Sequence, residues 1–270
     1  MRQRILPLLF IALFILGSSI ACAAPPPPQV GAEAAVLMVA NTKQVLFGKK
    51  PYAVMYPAST TKIMTLITAL EKGDPNSIVT VSPSAAACEE SRLGLNTGDK
   101  LSLNNAMYGM MLISGNDAAE AIAEHVAGSV PLFANIMNDN AEKIGAKNTH
   151  FSNPHGLPDP YNHYTTAYDL ALITAYSMKN PDFVKIVSTR EYNVSFLSGK
   201  KIHVSNTNKM LKSYPGANGG KTGYTDDAGE CLVATAKRGG VQLVAVILNS
   251  ETRWDDATKL LDYGFGQVGL

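Results

Sequence analysis

The sequence predicts an α+β fold in which one antiparallel sheet takes its strands from both ends of the chain. Two apolar runs joined by turn residues, 34–40 and 44–48, indicate a strand pair near the amino terminus. Three further runs, 219–224, 230–236 and 241–248, indicate strands near the carboxyl terminus, the last two joined by a Gly-Gly turn. Between these two groups the apolar residues recur with a helical period. Strands at both ends with helices between them favour a single α+β domain.

The middle of this domain is predicted to contain one buried central helix within residues 57–72. From Ile63 to Leu70 its sequence is apolar except for Thr65 and Thr68. A helix that is apolar on nearly every face belongs inside a domain, because it has no polar side to turn to water.

The remaining elements follow from capping and turn signals. Residues 73–102 and 151–166, which are rich in Gly, Ser, Pro or Asn, are predicted to be irregular. The regular elements predicted elsewhere are helices over 103–113 (capped by Ser102), 117–126, 130–144, 166–178 and 254–263, and a hairpin of 191–197 with 201–205.

Composition limits the classes of function. The chain has 270 residues, 46% of them hydrophobic, which is enough for a large core, and its net charge of +1 does not suggest a nucleic-acid partner. His155 and His163 share a Pro-rich loop, but no third ligand follows at a recognisable spacing, so we expect no metal and no other cofactor. Cys231 is predicted to be a buried strand residue, and the sequence leaves open whether it pairs with Cys88.

Residues 1–23 have the pattern of a signal peptide, with a basic start, an apolar stretch and a small-x-small cleavage site ending at Ala23. The apolar stretch is short for a membrane span, so we expect cleavage near Ala23 and export to the cell envelope or periplasm. A lipid anchor on Cys22 is the alternative, since Ser-Ile-Ala-Cys resembles a lipoprotein box. Residues 24–30 are predicted to be a Pro-rich linker, and residues 31–270 the folded domain.

A serine and a lysine at the start of the central helix are the first candidates for chemistry. Residues three apart lie on the same side of a helix, so Ser59 and Lys62 can meet at its buried end. An alcohol is a weak nucleophile until a base takes its proton. An ammonium in an apolar pocket loses solvation, which lowers its pKa and allows a neutral amine to be that base. Taken alone, such a pair is more often a helix cap beside a surface lysine.

A second cluster lies in the turn between two predicted helices. Ser114 offers a hydroxyl that can relay a proton, and Asn116 offers an amide that can hold a substrate or Lys62. On its own, Ser-Gly-Asn carries almost no functional information.

A third cluster lies on a predicted strand. Glycines beside it allow a substrate backbone to approach closely, while Lys221 and Thr222 offer a positive charge and a hydroxyl to a carboxylate. Gly223 continues this open strand, and the backbone N–H of Tyr224 is predicted to form an oxyanion hole with that of Ser59.

In the order S-x-x-K, S-G-N, K-T-G, the three clusters match a known set of catalytic motifs. They resemble those of the low-molecular-weight penicillin-binding proteins, the serine-type D-alanyl-D-alanine carboxypeptidases of peptidase family S11. The segments NPHGLPDPYNHYTTAYDLA, GGKTGYTDDAG and LLDYGF are also similar to that family, so the resemblance covers about residues 31–270. It implies a fold of the DD-peptidase and β-lactamase type.

The resemblance also implies the reaction. Ser59 would attack the bond between two D-alanines of a peptidoglycan stem peptide with Lys62 as its base, and water would hydrolyse the acyl-enzyme. β-Lactam antibiotics would acylate the same serine. Further implied roles are proton transfer and positioning by Ser114 and Asn116, and carboxylate binding by Lys221 and Thr222. The expected location is peripheral to the outer face of the membrane.

Arg253 is the last candidate, at the start of the final predicted helix. In the resembled family an arginine at a matching distance before LL-x-x-GF lies beside the K-T-G strand, which implies recognition of the terminal carboxylate. Arginine suits a bidentate contact with such a group. The alternative is a surface arginine paired with Asp255 or Asp256.

Two other functions stay open at this point. A class A β-lactamase uses a Glu for deacylation, and residues 143–185 contain no Glu, which favours the peptidase. A non-catalytic penicillin-binding scaffold would keep the pocket without turnover, and the presence of every motif residue argues against it.

Overall fold

A five-stranded antiparallel sheet is the frame of the protein, in a computed structural model that describes residues 26–270. The strands, in chain order, are β1 (Ala34–Val39), β2 (Gln44–Lys49), β3 (Ile78–Thr80), β4 (Lys100–Ser102), β5 (Glu191–Ser195), β6 (Lys201–Ser205), β7 (Ala217–Thr225), β8 (Gly229–Arg238) and β9 (Val241–Leu248). The order in the sheet is β2-β1-β9-β8-β7, while β3 pairs with β4 and β5 with β6. The predicted sheet from both chain ends is confirmed. The predicted signal peptide, with Cys22 and Ala23, lies outside the described residues.

The helices, in chain order, are α1 (Lys62–Lys72), α2 (Pro83–Ala87), α3 (Leu103–Leu112), α4 (Asn116–Ala127), α5 (Val130–Ile144), α6 (Ala167–Ser177), α7 (Pro181–Ser188), α8 (Met210–Ser213) and α9 (Arg253–Gln267). A 3₁₀ turn, Ala58–Thr61, leads into α1. Within residues 26–270, no helix combines the length and the apolar character needed to cross a membrane.

Helices cover both faces of the sheet, so all six side chains of β1 are buried. Side chains alternate along a strand. Val36 and Met38 therefore pack into a core shared with the helical region, and Ala35 and Leu37 into a second core under α9. Every residue of α1 from Lys62 to Ala69 is buried. The predicted buried central helix is confirmed, and its first residue is a fully buried lysine.

The main differences from the sequence prediction are short elements. Residues 73–102, predicted to be irregular, contain β3, α2 and β4, and the helices α7 and α8 are additional. Strands of three residues and helices of four or five contain too few residues for a period to be recognised. Helix α4 begins at Asn116, with Gly115 before it, rather than at Asp117. The predicted cap is confirmed, since the Ser102 hydroxyl accepts from the Asn105 N–H at 3.2 Å.

Asp256 connects the start of the domain to α9. Its carboxylate is fully buried and accepts the backbone N–H groups of Gly31 at 3.0 Å and Ala32 at 2.9 Å. It also accepts the Ser250 hydroxyl at 2.6 Å. These contacts hold the chain leading into β1 against the end of β9.

The Asp256→Ala variant is expected to lose about 2–4 kcal/mol of the free energy of unfolding, because the buried Ala32 N–H and the buried Ser250 hydroxyl both lose their carboxylate partner. Urea denaturation measures the loss. Asp255→Ala is the matched control, since Asp255 is exposed one residue earlier and contributes at most about 1 kcal/mol through the helix dipole. Equal losses in the two variants would contradict the role of the buried carboxylate.

Candidate active site

A cavity of about 310 Å³ opens between the edge strand β7 and the junction of α3 with α4. Six of the nine predicted site residues line it: Ser59, Ser114, Thr222, Gly223, Tyr224 and Arg253. The other three, Lys62, Asn116 and Lys221, are buried close behind its wall. The structure therefore brings together the three clusters that lie far apart in the sequence.

Close backbone approaches hold the 3₁₀ turn that carries Ser59. Ala58, just before it, has a φ of 46°, in the left-handed region that side chains rarely adopt. A Cβ on Gly156 would collide with the Ala58 carbonyl, and one on Gly223 would lie 3.1 Å from the Ser59 nitrogen. These glycines let the loop before α6 and strand β7 reach the turn from two sides. Ser59 does not cap α1, so the capping alternative is wrong.

Three polar groups surround the Lys62 amine in the interior. Nζ lies 2.9 Å from Ser59 Oγ, 2.7 Å from Asn116 Oδ1 and 2.8 Å from the His155 carbonyl oxygen. The side chain is fully buried. Burial, helped by the positive charge of Lys221, brings the Lys62 pKa well below its usual 10.5. The predicted contact between Ser59 and Lys62 is present.

The second cluster is held rigidly at the start of α4. Ser114 adopts a φ of 67°, which turns its hydroxyl into the cavity wall. The Asn116 side chain bridges two segments, because its amide nitrogen donates to the Glu89 carbonyl at 3.0 Å while its oxygen accepts from Lys62. Asn116 thus holds Lys62, one of the two roles the sequence suggested.

The third cluster lies on the buried part of β7. Lys221 is 2% exposed, and burial lowers its pKa to about 7, with the charge of Arg253 as the second cause. Its Nζ donates to the Thr222 carbonyl at 2.9 Å. The Thr222 hydroxyl lies 2.7 Å from that of Thr207. Near neutral pH the positive charge expected from Lys221 is therefore only partly present without an anion beside it.

Arg253 lines the same cavity, and one side of its guanidinium group already contacts the protein. Its Nη1 donates to the carbonyls of Gly223 at 2.9 Å and Cys231 at 3.3 Å, and Nε lies 3.4 Å from a Glu230 carboxylate oxygen. Its side chain is 15% exposed. The alternative of a surface pair with Asp255 or Asp256 is wrong.

The cavity also has a wall that sequence reasoning missed. Glu90 and Ser91 line it, on a loop that α4 holds in place. The buried Asp117 carboxylate accepts three successive N–H groups of that loop, from Leu93, Gly94 and Leu95, at 2.8–3.0 Å. The sequence signal that could have indicated this contact is Asp117 itself, an acidic residue in the first turn of an alanine-rich helix. The other lining residues that were missed are Ile113, Thr207, Lys209 and Trp254.

A family profile described as D-alanyl-D-alanine carboxypeptidase matches residues 21–252. The chain belongs to this family. Curated relatives include the D-alanyl-D-alanine carboxypeptidases DacF of Bacillus subtilis, 38% identical over 87% of this chain, and DacB2 of Mycobacterium tuberculosis, 35% identical over 89%. The chain spans 62% of the length of the first and 84% of the second.

Solved structures show the same family fold. A D-alanyl-D-alanine carboxypeptidase from Mycobacterium tuberculosis superposes with a TM-score of 0.85 at 33% identity, covering 90% of this chain and 94% of that one. The Streptomyces K15 DD-transpeptidase superposes with a TM-score of 0.84 at 33% identity, covering 89% and 99%. The predicted resemblance and the predicted DD-peptidase fold are confirmed.

Both histidines of the loop before α6 are buried, and they do not belong to the same group of candidate metal ligands. His163 has a ring nitrogen 2.8 Å from the Thr61 hydroxyl. His155 lies near Cys88 and Glu120, with ligand atoms within 4.8 Å of one another. The Leu157 N–H donates to His155 Nδ1 at 3.2 Å, which favours the tautomer with its proton on Nε2.

The Cys88 thiol is half-buried, and burial raises its pKa to about 12. Cys231 is buried on β8, as predicted. Both cysteines are free, which settles the pairing that the sequence left open.

The buried histidines predict loss of stability in acid. Burial lowers the pKa of His163 to about 4 and that of His155 to about 3, from the usual 6.5. Their contribution is complete above pH 6.5. As the pH falls toward the folded-state values, the unfolded chain binds protons that the folded protein does not, and unfolding becomes easier by about 1.4 kcal/mol per pH unit for each histidine.

The His163→Asn variant should therefore show a pH slope of unfolding free energy that is smaller by about 1.4 kcal/mol per unit between pH 6 and 4.5. Urea denaturation at several pH values measures it. An unchanged slope in His163→Asn would show that this histidine is not buried in its neutral form.

Proposed function

We propose that the protein is a serine-type D-alanyl-D-alanine carboxypeptidase that removes the terminal D-alanine from peptidoglycan stem peptides through an acyl-enzyme at Ser59. The observation that carries the proposal is the set of contacts around Lys62 Nζ. All three neighbours accept from Nζ in the resting structure, and its lowered pKa favours loss of one proton. In the neutral amine, Asn116 Oδ1 and the His155 carbonyl can only accept and therefore use both remaining N–H groups, which leaves the lone pair for the Ser59 hydroxyl at 2.9 Å.

That arrangement supplies a general base for acylation. Ser59 Oγ bonds to the carbonyl carbon between the two D-alanines while its proton passes to Lys62 Nζ. When the carbon–nitrogen bond breaks, the proton passes through the Ser114 hydroxyl to the departing D-alanine amine. Water then adds to the ester, gives its proton to Lys62, and releases the shortened peptide with Ser59 restored.

The strand β7 is proposed to bind the substrate. The backbone N–H groups of Ser59 and Tyr224 would stabilise the tetrahedral oxyanion. Thr222, Lys221 and Arg253 would bind the terminal carboxylate, whose charge favours protonation of Lys221 when substrate arrives. Because Nη1 of Arg253 already donates to two carbonyls and Nε lies 3.4 Å from Glu230 without a hydrogen bond, Nη2 is the group proposed to contact the substrate carboxylate.

Three alternatives are weighed against this function. A β-lactamase of class A needs a Glu in the loop before α6, where this chain has none. The Streptomyces K15 neighbour is named a DD-transpeptidase, a reaction that gives the acyl group to an amine instead of water. A scaffold without turnover would not need an unprotonated lysine beside the serine. β-Lactams are proposed to inhibit by acylating Ser59 and leaving slowly.

We also propose that the protein is exported and acts outside the cytoplasm, peripheral to the outer face of the membrane. The support is the sequence of residues 1–23 and the family to which the chain belongs. The proposal also includes cleavage after Ala23, a linker at 24–30 and a folded domain at 31–270. The intact mass of the exported protein checks it, because a start at Ala24 and a lipid on Cys22 give different masses.

The function is tested by D-alanine release. Wild-type protein should release D-alanine from diacetyl-L-lysyl-D-alanyl-D-alanine and cleave the C-terminally amidated peptide much more slowly, because the amide lacks the carboxylate that β7 binds. Ser59→Ala should release none and should form no adduct with benzylpenicillin by intact-protein mass spectrometry. A penicillin adduct on Ser59→Ala would show that another residue is the nucleophile, and dimeric peptide products would indicate a transpeptidase.

The Lys62→Arg variant tests the base. Arginine keeps the positive charge and stays protonated, so it cannot accept the Ser59 proton. Acylation by benzylpenicillin should slow by about a thousandfold or more, on the scale of a lost general base. Stopped-flow measurement of adduct formation gives the rate. Acylation within tenfold of wild type would place the base elsewhere.

A further inference from the structure

A second cavity, of about 480 Å³, lies beyond the end of β7. Two parts of its lining lie close in sequence to the active site. Met55 and Tyr56 precede Ser59 by a few residues, and Asp227 follows the last residue of β7 by two. Its lining residues are Glu33, Val54, Met55, Tyr56, Pro160, Tyr161, Tyr164, Asp227 and Asn249. Nothing in the reaction described above uses this cavity.

The direction of the substrate along β7 leads to it. The carboxylate end of the peptide lies by Lys221 and Thr222, and the bond that breaks lies by Ser59 and Tyr224. The residues before that bond therefore continue toward Asp227, along the edge of the strand. Asp227 is three residues past Tyr224, or at most about 10 Å. The residue before the D-alanine pair lies about 3.3 Å, one strand residue, further toward Asp227. A long side chain on that residue can span the remaining distance.

The chemistry of the cavity is aromatic and acidic. Three tyrosines line it, and Tyr161 is 86% exposed at the tip of its loop. The charged residues among the lining are two carboxylates, Glu33 and Asp227, and none of the lining residues is basic. Glu33 is already paired with Lys50 at 3.6 Å and with the Asn249 amide at 3.0 Å. Among the described residues, no side chain forms a hydrogen bond or ion pair with Asp227.

A flexible aliphatic chain that ends in an ammonium matches this lining. Its methylene groups can pack on the tyrosine rings, and its charge can lie over a ring face or against a carboxylate. Asp227 is exposed, so a neutral side chain would leave its carboxylate to water and gain no ion pair, and an anionic one would be repelled.

We infer that this cavity is a subsite for the amine-bearing side chain of the residue that precedes the D-alanine pair, with Asp227 as the anion that pairs with the amine and Tyr161 as its apolar wall. The inference rests on the proposed function and specifies which substrates that site prefers. The cavity thereby distinguishes stem peptides with a free amine from those in which the amine is blocked.

Two peptides that differ only in that amine test the inference. The wild-type kcat/KM should be about three- to fivefold higher for Nα-acetyl-L-lysyl-D-alanyl-D-alanine than for its Nα,Nε-diacetyl form, since one ion pair with an exposed carboxylate is gained. The Asp227→Asn variant should reduce that ratio to below about twofold, and 0.5 M salt should reduce it in the wild type through screening. Tyr161→Ala should lower kcat/KM for both peptides, because both have the aliphatic stem.

Asp139→Asn is the matched control, because it makes the same change in net charge at an exposed position of α5 away from both cavities and should keep the wild-type ratio. A wild-type ratio near one, or an undiminished ratio in Asp227→Asn, would overturn the inference while leaving the carboxypeptidase function intact. Release of D-alanine from neither peptide by the wild type would contradict the proposed function, and the inference with it.

Discussion

The buried amine of Lys62 is the group on which the rest of the site depends. Its three polar neighbours come from the 3₁₀ turn, the start of α4 and the loop before α6. A buried polar group that has no hydrogen-bond partner costs several kcal/mol. The hydrogen bonds to Lys62 Nζ therefore help to hold each of these segments in place. Exclusion of water by these segments is in turn the main cause of the lowered pKa of the amine. The fold and the reactivity of the site therefore rest on the same few contacts.

Three of the six described non-glycine residues with a positive φ lie around the cavity. Ala58, Glu90 and Ser114 all have positive φ values, although none is glycine. Such conformations cost roughly 1–3 kcal/mol each and persist only where the surroundings impose them. Here the surroundings are visible, because Asp117 holds the loop after Glu90 and Gly156 lets a neighbouring loop press on the Ala58 carbonyl. The positions of the groups around the cavity are thus set by the fold itself.

Much of this arrangement could be predicted from the sequence, for identifiable reasons. Long periodic runs specified the five-stranded sheet and α1, and the Ser59–Lys62 spacing on a helix specified their contact. Short elements such as β3 and α8 contain too little pattern to be recognised. The contacts that decide protonation were beyond sequence reasoning, because a backbone carbonyl such as that of His155 has no sequence signature. The hydrogen bonds of Arg253 within the protein were missed for the same reason, since its partners are the backbone carbonyls of Gly223 and Cys231.

Strand β7 lies at the edge of the sheet, and an unpaired edge can pair with any extended chain. Its first half is unsuited to that, since the ladder with β8 shifts register between Ala217 and Gly219, and Gly219 and Gly220 have φ values of 156° and 118°. From Gly219 to Thr225 the pairing with β8 is regular, and residues 221–225, which follow the two glycines with positive φ, form a short regular edge. The irregular first half of β7 makes edge-to-edge pairing with another sheet less favourable along that part of the strand.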